Sequence, residues 1–102
     1  MLKFTLYVGL NDKDTKTQKI NTIEAFKIVN NILLQYTEGA TIFEASGIYK
    51  HNDNEIVIEK TLRIELIDIT EQAITEITKQ LKLILNQESI LIQKENVKNY
   101  FV

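Results

Sequence analysis

In LKFTLYVGL, residues 2–10, apolar and polar side chains alternate: Leu2, Phe4, Leu6, Val8 and Leu10 against Lys3, Thr5, Tyr7 and Gly9. A period of two marks a strand with one buried face. This constrains the chain more than any other feature, because it calls for an antiparallel sheet covered on one side only. Further strands are predicted near 40–50 and 55–67, separated by HNDN, whose residue types favour a turn. A last strand begins at ILIQ, after the polar break NQES.

Between these segments the period changes. In INTIEAFKIVNNILLQY, apolar residues from Ile23 through Phe26 and Leu33 to Tyr36 recur at three- and four-residue steps, which predicts an amphipathic helix. Asn21 is its N-cap candidate, Glu24 the reciprocal partner, and Gly39 the left-handed residue expected to end it. Thr70 is placed to cap a second helix, with Glu71 at its positive end and Ala73, Ile74, Ile77, Leu81, Ile84 and Leu85 as its buried stripe. The order strand, helix, strand, strand, helix, strand predicts an α+β, ferredoxin-like βαββαβ sandwich. It has a four-stranded antiparallel sheet with two helices on one face. The 102 residues suit one domain, 1–102.

Composition narrows function mainly by exclusion. A net charge of −2, with the lysines scattered, gives no concentrated positive field for nucleic acid or an anionic membrane. The absence of cysteine removes disulfides and thiolate chemistry, and His51 is the sole histidine. In the polar stretch NDKDTKTQK, Asp12 and Asp14 resemble the start of a calcium loop, but the glycine and distal glutamate of such a loop are missing. No metal and no cofactor are therefore expected. Lys3 and Thr5 interrupt the apolar run a signal peptide needs, so the expected compartment is the cytoplasm.

The face of the sheet away from the helices is the candidate functional surface. Packing Ile42 and Ile48 inward leaves Phe43 and Tyr49 on the open side with Tyr7, beside Val57, Glu59, Thr61 and Arg63 of the third strand. Lys60 breaks that strand's apolar side, which suggests a bulge there. Glu59 and Arg63 are about 13 Å apart along one strand at ~3.3 Å per residue, so each needs a partner elsewhere. Cross-strand aromatic packing, a homo-oligomer interface and a small-molecule pocket all remain open for this face. Gly9 suggests a close backbone approach. Ser89, in NQES, has no neighbouring base to activate it. The tail KENVKNYFV ends in side chains expected to dock on the body or on a neighbouring subunit.

Four segments, LYVGL, EGATIFEASGIYK, EIVIEKTLRIEL and NQESILI, together resemble a group of small bacterial proteins known only as a domain of unknown function. The matching positions are Leu6, Tyr7 and Gly9; Gly39, Thr41, Ala45, Gly47 and Tyr49; Glu59 and Thr61; and Gln87, Glu88 and Ser89. Tyr49 stands where that group carries a tryptophan, and the group's export signal is missing. The resemblance implies a fold and a site position but no activity, with Tyr7, Tyr49, Glu59, Thr61, Arg63, Glu88 and Ser89 as ligand or interface candidates. More loosely, the order of elements looks like PII-like and CutA-like trimers, which implies self-association.

The resulting expectation is a self-associating, non-enzymatic ligand-binding or regulatory module. Its hairpin 39–69 would form the centre of the sheet. The alternative is a small dimeric enzyme using Tyr7, Glu59, Arg63, Glu88 and His51.

Overall fold

The computed structural model describes residues 1–50 and 52–102. The expected order is found: β1 (Leu2–Gly9), α1 (Thr22–Leu33), β2 (Thr41–Lys50), β3 (Ile56–Ile67), α2 (Glu71–Ile84) and β4 (Leu91–Asn96). All pairings are antiparallel and the strand order is β2-β3-β1-β4. The hairpin is thus not the centre of the sheet: β2 is an edge, and β1 lies inside because both β3 and β4 pair with it.

Capping explains where the helices start. The Asn21 side chain accepts the Glu24 N–H at 2.8 Å, and the Thr70 hydroxyl accepts the Ala73 N–H at 3.1 Å. Each supplies a partner for a backbone donor that the first helical turn leaves open. Gly39 does not end α1; the helix stops at Leu33, and no glycine has a positive φ. Left-handed backbone is instead adopted by Asn54, Asp68 and Asn86 at the turns, and by Lys16 in the β1–α1 loop. Asparagine and aspartate tolerate that region better than most residues.

Alternation in β1 does what its pattern implies. Phe4, Leu6 and Val8 face the helices with Leu62, Ile64 and Leu66 of β3. Ala25, Val29, Ile32 and Leu33 of α1 and Ile74, Ile77 and Leu81 of α2 close over them, with Leu85 just beyond α2. Ile84 is 47% exposed, because it lies to the side of the buried stripe that runs through Leu81 and Leu85.

Beyond this core the hairpin continues without cover. The β2–β3 register runs unbroken from Thr41↔Glu65 to Lys50↔Ile56, so no bulge occurs at Lys60. Lys60 is exposed at the rim of the helix cover, beside the first turns of α1. Ile48, Ile56 and Ile58 occupy the helix side of the sheet yet are 69%, 61% and 69% exposed. Pairing of β1 with β3 ends at Gly9↔Thr61, with one further bond from the Leu10 N–H to the Lys60 carbonyl. The outer hairpin is therefore a two-stranded arm. Extents of 47 × 25 × 24 Å reflect it. The radius of gyration, 14.3 Å, exceeds the ~13 Å of a compact chain this long. Tyr100 and Phe101 of the tail are 80% and 84% exposed rather than docked on the body. Among the described residues, no helix is long and apolar enough to cross a membrane.

Candidate ligand-binding cleft

Three segments far apart in sequence meet where the arm leaves the body, around a cleft of about 310 Å³. The β1–α1 loop contributes Asn11, Asp12, Lys13 and Lys16, the arm contributes Tyr49 and Glu59, and the α2–β4 junction contributes Gln87, Glu88 and Ser89. Antiparallel topology explains the meeting: β1 ends, β3 enters and β4 begins at the same end of the sheet.

The loop is shaped by Asp12. Its Oδ2 accepts the backbone N–H groups of Asp14 and Thr15 at 2.9 and 3.0 Å, folding the loop on itself. Its Oδ1 accepts the Asn86 side-chain amide at 2.8 Å, and the same amide reaches Asp14 at 2.9 Å. Those bonds favour the ionised form, so Asp12 is lowered from 3.8 to about 2, with Asn86 the largest cause and the Thr15 N–H next. Gln87, buried, donates to the Asn11 and Leu85 carbonyls at 2.8 and 3.1 Å. Asn86 and Gln87 thus latch the loop to the junction, and the calcium-loop likeness is a turn closed by protein donors.

Glu59 points toward β1. Its Oε2 accepts the Asn11 N–H at 2.9 Å, at the point where the backbone ladder runs out. Gly47 is its partner across β2, and Tyr49, two residues further along β2, lies diagonal to it. Burial pushes the Tyr49 phenol above its ordinary value, and the Glu59 charge adds to that. The cleft thus sets Tyr49 and Glu59 of the arm against Lys13 and Lys16 of the loop, with Glu88 at the junction. Such a set can hold a small ligand bearing both a positive centre and an anionic group.

The other candidates lie elsewhere. Tyr7 and Arg63 are cross-strand neighbours on the open face and do not line the cleft. Arg63 lies over the Phe43 ring at 5.2 Å and donates to Glu65 at 2.8 Å, while its Nε is buried without a partner among the described residues. Glu65 also pairs with Lys3 at 3.0 Å, an ion pair that raises the lysine's pKa. The Thr61 hydroxyl turns back to the Glu59 carbonyl at 3.4 Å. Tyr7, Glu59 and Arg63 therefore do not form one polar site, and His51 lies outside the described residues. Asn11, Lys13 and Lys16 were not singled out from sequence as site residues. The signal within reach was the Asp12–Thr15 turn.

With this geometry in hand, a family model described as "Protein of unknown function (DUF3574)" matches residues 3–101. The chain belongs to that family. The resemblance to a domain of unknown function therefore holds, and the family brings no activity with it. No curated protein matches the chain in sequence.

Among solved structures, a phage SAM lyase in the apo state matches with TM-score 0.67 at 20% identity, over 92% of this chain and 78% of that one. The phage SAM lyase in complex with S-methyl-5′-thioadenosine gives 0.64 at 21%, over 92% and 79%. The divalent ion tolerance protein CutA1 from Ehrlichia chaffeensis gives 0.56 at 19%, over 97% and 84%. These likenesses establish the shared ferredoxin-like fold.

Proposed function

We propose that this protein is a self-associating module that binds a small ligand in the cleft at the base of its arm. The observation that carries the reading is the arm itself. It exposes Ile48, Ile56 and Ile58 on one side and Tyr49 on the other, with β3 unpaired on its β1 side below Lys60. An isolated hairpin of this kind is marginal in water, and unpaired strand edges invite another strand. A second copy of the chain is the partner, consistent with the resemblance to CutA1-like assemblies. Light scattering coupled to size exclusion is expected to give a mass above one chain, and a strict monomer at high concentration removes the claim.

A second reading concerns the same cleft. The likeness to phage SAM lyase, one copy of which holds S-methyl-5′-thioadenosine, favours S-adenosylmethionine as the ligand. It leaves open an enzyme in which Tyr49, Glu59 and Glu88 act on it. A carboxylate suits a sulfonium, and an aromatic ring offers a face to a cation or a base. Incubation with S-adenosylmethionine followed by chromatography tests for S-methyl-5′-thioadenosine. Binding without product supports the module, and product supports the enzyme.

A further inference from the structure

We propose that Gly9 is the positioning residue of the cleft: the space left by its missing side chain seats the Glu59 carboxylate and makes it the cleft's fixed anion. The proposal rests on the reading of the cleft as a ligand site. A Cβ placed on Gly9 would lie 2.5 Å from the Glu59 Cδ and 2.6 Å from Oε2, with Oε1 closer still, so a side chain and the carboxylate cannot share the space. Gly9 has no positive φ, so the backbone there does not demand glycine. Room is what the glycine provides. What approaches β1 closely is thus a carboxylate, where sequence suggested a backbone.

Two constraints then act on one group. The Asn11 N–H holds Oε2 from the end of β1, and the bare Gly9 backbone receives the carboxylate from below. A glutamate otherwise samples many rotamers, and fixing it in advance removes an entropy cost from ligand binding. Glu59 has no ion-pair partner among the described residues, which leaves its charge for a ligand. The ligand class that follows carries a sulfonium centre.

The competing account is that Glu59 merely caps the Asn11 N–H. Glu59→Gln separates the two, since it keeps an oxygen for that bond and removes the charge. Gly9→Ala keeps the charge and removes the seat. Because the displaced group is the far end of a flexible side chain, Gly9→Ala is expected to fold with an unchanged circular dichroism spectrum.

Two readouts need no ligand: the Asn11 amide shift and the Tyr49 phenol titration followed by ring-carbon NMR. Gly9→Ala is expected to move the Asn11 amide. It is also expected to bring the Tyr49 midpoint down toward the ordinary range, as Glu59→Gln does, with no further change in the double variant. In calorimetry, the wild type is expected to prefer S-adenosylmethionine by about tenfold over S-adenosylhomocysteine, which keeps the ammonium but lacks the sulfonium charge, and both variants to lose that preference.

Gly9→Ala with both resonances at their wild-type positions overturns the proposal. Should Gly9→Ala prove unstable, shortening the clashing group in Gly9→Ala/Glu59→Ala must restore stability, and failure to do so also overturns it. A wild type that binds neither nucleoside while Gly9→Ala shifts Tyr49 upholds the seat and sinks the reading of the cleft as a site for this ligand.

Discussion

The inner and outer halves of the β2–β3 hairpin share one register and one alternation, yet meet opposite fates. Leu62, Ile64 and Leu66 are 0–1% exposed, whereas Ile56 and Ile58, on the same side of the same strand, are 61% and 69% exposed. The difference comes from the helices, which cover the inner half and stop short of the outer one. Alternation assigns a side chain to a face, and burial depends on what lies over that face. The inner half gains roughly 25 cal/mol for each Å² of apolar surface removed from water. The outer half leaves that gain unrealised in the single chain, and it also carries Tyr49 and Glu59 to the cleft.

Mutations should expose the contrast directly. Leu62→Ala is expected to destabilise by about 2–5 kcal/mol in urea unfolding, since it opens a cavity under both helices. Thr70→Ala should cost about 1 kcal/mol, the usual loss for an N-cap hydroxyl, and would show that α2, which covers the inner half, depends on its own cap. Ile58→Ala should change the stability of a dilute sample by less than about 0.5 kcal/mol. Its effect should grow with protein concentration if a second copy covers the arm.

The latch at the cleft answers to pH. Because Asp12 is lowered to about 2 from 3.8, its contribution to stability is present above 3.8 and is lost as pH falls toward 2. Asn86→Ala removes the largest cause of that shift. Unfolding of the variant between these limits should depend less on pH, and the Asp12 carboxyl midpoint, followed by NMR, should rise toward 3.8. A midpoint unmoved by the substitution would show that the loop holds Asp12 without the α2–β4 junction.

The local signals were the readable part of the sequence. The β1 alternation, the Asn21 and Thr70 caps and the α2 stripe through Leu81 each depend on neighbours a few residues away, and together they fix a ferredoxin-like order. What depends on the extent of the helices could not be read. Ile48 and Ile58 lie on the helix side but past its cover, and Ile84 lies beside the α2 stripe rather than in it. The cleft is harder still, since Asn86 meets Asp12 across 74 residues and Asn11 meets Glu59 across 48. Family resemblance singled out Glu59, Glu88 and Ser89 without showing that they share a cleft.

The most direct test of a covered arm is amide hydrogen exchange at two protein concentrations. Residues 46–50 and 56–60 are expected to gain protection as concentration rises, while the β1 amides stay protected throughout. Fast exchange of the arm at every concentration would contradict the account and leave the outer hairpin as bare sheet.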